Sequence, residues 1–178
     1  LGTSTVTYQA ADPSGNTAEC SFTVTVNDDE PPVALAKDIT VQLDATGNTS
    51  ITAADVDNGS SDNCGIASLS VAPNSFDCSN VGANTVTLTV TDNNGNTSTT
   101  TATVTVEDNV APVALAQDIT VQLDVAGNVS IAASQIDNGS NDACGIASLS
   151  VVPGSFDCSN VGANTVTLTV TDNNGNVS

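Results

Sequence analysis

Thr85-Val86-Thr87-Leu88-Thr89-Val90-Thr91, followed by Thr101-Ala102-Thr103-Val104-Thr105-Val106, decides the fold. Both stretches alternate β-branched polar with apolar residues at a period of two, the signature of a strand with one face buried. The spacing predicts that Val86, Leu88, Val90, Val104 and Val106 face a core. Between the stretches lies Asp92-Asn93-Asn94-Gly95-Asn96, whose Asn-Gly pair tolerates the positive φ of a tight turn, so the two strands form an antiparallel hairpin. Outward from it, Ile39-Thr40-Val41-Gln42-Leu43 alternates likewise. Residues 48–53 supply a further short strand, and Ala67, Leu69 and Val71 mark another ahead of Pro73. No stretch carries a helical stripe. Short strands separated by Gly, Asn, Asp and Pro describe an all-β fold of tandem immunoglobulin-like β-sandwich modules.

The same sequence recurs at an offset of 80 residues. Pro32-Val33-Ala34-Leu35-Ala36 returns as Pro112-Val113-Ala114-Leu115-Ala116, and Cys64-Gly65-Ile66-Ala67-Ser68 as Cys144-Gly145-Ile146-Ala147-Ser148. The first residues obey the offset too, with Val6 matching Val86 and Asp12 matching Asp92. Self-similarity of this kind marks an array of units. The expected division is the C-terminal part of one module over 1–29, a complete module over 30–109, and a third over 110–178 that lacks the strand matching 99–106. The chain therefore reads as an excerpt of a longer array.

Composition narrows the function. Twenty Asp and Glu face a single basic residue, Lys37, giving a formal net charge of −19, and the chain has no His, Met or Trp. Such a chain cannot present a basic surface to phosphates, so nucleic acid is excluded as a partner, and anionic membrane surfaces repel it. Triad hydrolysis and thiol-imidazole catalysis lack their imidazole. No apolar run approaches the ~18–20 residues of a membrane span, so direct membrane insertion is not expected. Two-carboxylate glycoside hydrolysis needs no His, but it does need an apolar cleft, of which small repeated modules give no sign. The chain reads as a non-enzyme.

Five cysteines without cationic neighbours fit structural disulfides in an oxidising compartment better than reactive thiols. Closeness in sequence suggests one local bridge per module, Cys64-Cys78 and Cys144-Cys158. Cys20 falls on Thr100 under the offset, so its partner is expected upstream of residue 1. The carboxylates gather at the junctions (Asp28, Asp29, Glu30; Glu107, Asp108), in the hairpin turns (Asp12, Asp92, Asp172) and in the loop 55–62. Oxygen-only clusters suit Ca²⁺, and a hard cation at a junction would stiffen the array and relieve repulsion. Outward Thr rows on twisted sheets reflect β-propensity and not an ice-binding face.

Asp12-Pro13-Ser14-Gly15-Asn16-Thr17-Ala18-Glu19-Cys20-Ser21-Phe22-Thr23-Val24-Thr25-Val26, with the strand before it, resembles the C-terminal half of a hyalin repeat, the HYR module. The later modules, with Asp62-Asn63-Cys64-Gly65-Ile66 and Phe76-Asp77-Cys78, are similar to HYR-like repeats of large Bacteroidota cell-surface proteins, including gliding-motility adhesins. The resemblance implies an immunoglobulin-like, extracellular, adhesion-linked module. In that family an early Cys pairs with the one matched by Cys20. The second module has Ala36 and Thr100 at the corresponding places and gains Cys64 and Cys78 instead. By looser likeness to the acidic linkers of cadherin-like arrays, the calcium ligands are expected at Asp92 with Asp108 and at Asp12 with Asp28.

The expected function is the structural repeat region of a secreted or cell-surface adhesin, a stalk or filament presenting an adhesive tip. Its partners would be neighbouring modules and surface polysaccharide or another cell-surface ligand. The alternatives are a spacer or carbohydrate-binding module of a secreted hydrolase, disfavoured because the single tyrosine, Tyr8, is expected to face inward, and a subunit polymerising by strand exchange.

Overall fold

A computed structural model describes residues 2–178. The chain is all-β. Strands β1 (Gly2–Ala11) and β2 (Thr17–Val26) form a two-stranded antiparallel hairpin, in register from Gly2 opposite Val26 to Ala11 opposite Thr17. Every residue of this hairpin is exposed. Tyr8, expected to face inward, is 66% exposed and Phe22 is 55% exposed.

The central unit contains β3 (Ile39–Gln42), β4 (Asn48–Ser50), the single helical turn α1 (Ala53–Val56), β5 (Ile66–Ala72), β6 (Ser75–Asp77), β7 (Gly82–Asp92) and β8 (Thr97–Glu107). Its main sheet runs in the order β3-β8-β7-β5, with β3 parallel to β8 and the other pairs antiparallel. β4 and β6 form a second, two-stranded sheet. The two sheets and α1 enclose one core of Leu43, Ile51, Val56, Phe76, Val86, Leu88, Val90, Ala102, Val104 and Val106. All five inward positions read from the hairpin's alternation are in it, because period two places i, i+2 and i+4 on one face of a pleated strand.

Two local expectations are corrected. The strand of residues 48–53 stops at Ser50, and α1 follows although no helical stripe announces it. One turn is too short to have a stripe. It forms because the Asp55 carboxylate accepts from both the backbone NH and the hydroxyl of Thr52, each at 2.7 Å, satisfying donors at the helix start. Val56, on its inner face, is fully buried.

The same elements return 80 residues on: β9 (Asn128–Ser130), α2 (Ala133–Ile136), β10 (Ile146–Val152), β11 (Ser155–Asp157) and β12 (Thr167–Asp172). β10 pairs with β12 and β11 with β9 in the registers of β5 with β7 and β6 with β4. Among the described residues, 117–124 form no strand and none pairs with β12 as β8 does with β7. A groove of about 780 Å³ lies there, lined by Ile119, Val121, Leu123, Val129, Ile131 and Val166 among others. The matching residues Ile39, Val41 and Val86 of the preceding unit lie on β3 and β7, the two strands between which β8 pairs, so the groove corresponds to the place of that strand.

Candidate functional site: the junction between successive modules

Three elements converge at the entry end of each module. The hairpin turn 92–96 is built by Asp92, whose Oδ1 accepts from the NH groups of Asn94 and Asn96, both at 2.8 Å, while Oδ2 accepts from the Asn96 amide at 2.7 Å. Burial pushes the Asp92 carboxyl up, but these hydrogen bonds outweigh it and the net direction is down. Asp172 is held in the same way by Asn174 and Asn176, with the same net direction.

The amide of Asn96 also reaches the linker entering the module, donating to the carbonyls of Asp28 at 3.1 Å and Glu30 at 3.3 Å. Asn176 does the same to Asp108 at 3.0 Å and Val110 at 3.3 Å. The third element is the Cys-Gly loop: Asn93 donates through its side chain to the Cys64 carbonyl at 2.8 Å and through its backbone to that of Gly65. Asn173 repeats both bonds with Cys144 and Gly145. The Asp-Asn-Asn-Gly-Asn turn is thus more than a hairpin closure. It clamps the linker and the Cys-Gly loop to one end of the module.

The expected metal residues are placed differently from the sequence expectation. The turn of Asp92 lies against Asp28, to which the Asn94 side chain donates, and the turn of Asp172 lies against Asp108. Asp92 is not joined to Asp108. Asp12 spends its carboxylate inside its own turn, on Ser14 and on the backbone and amide of Asn16, which hold its carboxyl below the usual range. The reason is topological: a linker is gripped by the hairpin of the module it enters, not by that of the module it leaves. Most of the acidic loop 55–62 is also accounted for. Asp55 caps α1, and Asp57 accepts from the hydroxyl of Ser60 at 2.6 Å and the NH of Gly59.

The disulfide expectation is corrected as well. The bond is Cys78-Cys144, with Cα atoms 5.2 Å apart and a sequence separation of 66, and Cys20, Cys64 and Cys158 are free and exposed. Neither Cys64-Cys78 nor Cys144-Cys158 forms. Cys64 sits at the entry end on the Asn93 turn, and the seven-residue β5 then carries the chain roughly 23 Å along the module before it crosses to β6 and Cys78. Proximity in sequence becomes opposite ends in space. Cys78 instead meets the turn 44–48, its Sγ 3.8 Å from the Gly47 carbonyl, and from there it reaches Cys144 at the entry end of the next module. Closing a loop of this length stabilises the folded array by about 4 kcal/mol in the chain-entropy treatment. Cys158 occupies the same cradle one module later, 3.7 Å from the Gly127 carbonyl. The Cys64 thiol is pushed up by its hydrogen bond to Asp28, then by burial and nearby carboxylates, the direction that disfavours a thiolate.

A family model for the HYR domain matches residues 1–26. Over that segment the chain is HYR-like, and the internal repeat extends the same strand-turn-strand pattern to 81–106. The match points to a cell-surface, adhesion-type repeat in a family of extracellular, non-enzymatic modules. No helix among the described residues is long and apolar enough to cross a membrane.

Proposed function

We propose that this chain is a load-bearing segment of a secreted or cell-surface adhesin, a stalk whose modules are covalently coupled to their neighbours. The observation that carries the reading is the Cys78-Cys144 bond across the junction. When the ends of the chain are pulled, force passes from Cys78 directly to Cys144. Residues 79–143, which include β7, β8 and the linker, are bypassed. The strands that build most of the core are therefore shielded from tension, which is useful in a stalk and has no role in a soluble binding domain. The HYR-like segment supports the same reading.

A carbohydrate-binding module is less well supported. Tyr8 and Phe22 are exposed, but their counterparts under the repeat are Leu88 and Ala102, both in the core. Their positions belong to a module interior and not to a sugar-stacking platform.

Single-molecule stretching of the oxidised and reduced chain tests the proposal. Reduction is expected to add about 230 Å of contour length, the 66-residue separation at ~3.5 Å per residue. Equal extension before and after reduction would remove the load-bearing argument.

A further inference from the structure

The linker carboxylate Asp108 is 6% exposed, and its Oδ2 has no hydrogen-bond partner. Its Oδ1 accepts only from the NH of Val110, at 3.1 Å. Leaving a buried carboxylate oxygen unpaired is costly, and the usual remedies are a donor, a proton or a cation. The neighbouring group makes the cost larger: oxygens of Asp108 and Asp142, with the Cys144 sulfur, lie within 4.8 Å of one another. Two carboxylates so close repel unless a positive charge lies between them. The chain's single basic side chain, Lys37, belongs to another module and is near Asp55 and Asp57.

We infer that Asp108 and Asp142 hold a divalent hard cation, Ca²⁺ by preference, at the junction. The donor set argues for this class. Cys144 is bonded to Cys78, so its sulfur is not a thiolate and cannot recruit a soft metal. What remains is oxygen: two carboxylates, with water completing the six to eight ligands that Ca²⁺ takes. Asp142 is already aimed, since its Oδ1 accepts from the Cys144 NH at 2.7 Å.

The repeat supplies a second copy of the arrangement. Asp28 and Asp62 lie within the same 4.8 Å, Asp62 accepts from the Cys64 NH at 2.7 Å, and Asp28 accepts from the Glu30 NH at 3.2 Å. Here the Asn94 amide approaches Asp28. A half-turn of that amide would present its oxygen to an ion instead. Asp92 and Asp12, the ligands expected from sequence, are saturated by their own turns and contribute none.

The ion would tie the linker to the loop that carries Cys144. Each junction would then have two fastenings side by side, one covalent and one ionic. The site does not depend on an adhesive role, and its failure would leave the disulfide-coupled stalk untouched.

The test is calorimetric titration of the oxidised, chelator-treated full chain with CaCl₂. Two ions per chain are expected, with dissociation constants on the order of 10⁻⁴–10⁻³ M, typical of extracellular modules. Asp142→Asn, which keeps the acceptor for the Cys144 NH, is expected to lower the count to one. Asp62→Asn does the same, and the double variant binds none. Asp124→Asn, in an exposed turn, leaves two. Thermal unfolding guards against misfolding: without calcium, Asp142→Asn should melt at or above the parent's temperature because repulsion is relieved. Ten millimolar calcium should then raise the parent's Tm by about 3 °C or more and the double variant's by nothing. No binding to the parent, or an unchanged count in the single variants, overturns the proposal.

Discussion

Gly47→Ala probes the junction most finely, because the repeat supplies its own control at Gly127. Both glycines lie in the left-handed region, at φ +74° and +77°. An L side chain there costs about 1–2 kcal/mol at either place. The surroundings differ. A Cβ at Gly47 would come 2.6 Å from the Cys78 sulfur and 3.1 Å from the Ala143 Cβ, in a wall held by the bond to Cys144. A Cβ at Gly127 would meet only the Cys158 sulfur at 2.7 Å, and that thiol is free to rotate away. Overpacking against atoms that cannot yield costs about another 1–3 kcal/mol. Gly47→Ala is therefore expected to destabilise by about 2–5 kcal/mol and Gly127→Ala by about 1–2. With one tyrosine and no tryptophan, thermal unfolding is best followed by far-ultraviolet circular dichroism, where 1 kcal/mol is about 2–4 °C at this size. Under reductant Cys78 is released, and the two variants should converge. If Gly47→Ala is no worse than Gly127→Ala in the oxidised protein, the two modules do not meet at Gly47.

Leu88→Ala and Leu168→Ala form a second internal comparison. Leu88 is fully buried on a strand flanked by β8 in the main sheet, whereas Leu168 is half-buried on a strand with no such neighbour, so urea titration should give losses of about 3 and 1 kcal/mol; equal losses would mean that the core around Leu88 is no better packed than that around Leu168. Acid sensitivity follows from the turn aspartates. Asp12, Asp44, Asp92 and Asp172 are held below their ordinary value of 3.8 by hydrogen bonds, those at Asp92 and Asp172 overcoming an upward push from burial. The unfolded chain thus takes up protons first, and stability present above that value is lost as pH falls through it toward the folded values. Urea midpoints from pH 7 to 2.5 in about 0.5 M NaCl, which screens the general repulsion, should be level down to about pH 5 and then decline. A midpoint that rises on acidification in that salt would show the turns to be weakly held.

Much of the central module was legible because its information is local. Alternation from Val86 to Val90 and from Ala102 to Val106 is a property of each strand alone, and the Asn-Gly turn joins neighbours in sequence. The acid clusters were visible too, but not the contact each makes. Whether Asp108 meets Asp92 or Asp172 depends on which hairpin grips the linker, a fact of topology that no periodicity encodes. The cysteines misled for a related reason. A repeat with two cysteines per unit reads identically whether each bond closes within a unit or bridges to the next. Only the length of β5, set between Cys64 and Cys78, tells the two apart. Tyr8 matches the core residue Leu88 under the repeat, so alternation marked its face, while among the described residues no second layer covers that face.

Disulfide mapping by mass spectrometry of the alkylated, unreduced chain tests the central claim most directly. The account predicts one cross-linked peptide pair containing Cys78 and Cys144, with Cys20, Cys64 and Cys158 recovered as alkylated thiols. Recovery of Cys64 joined to Cys78 and Cys144 joined to Cys158 would contradict it, and would return the array to a string of separately stapled modules.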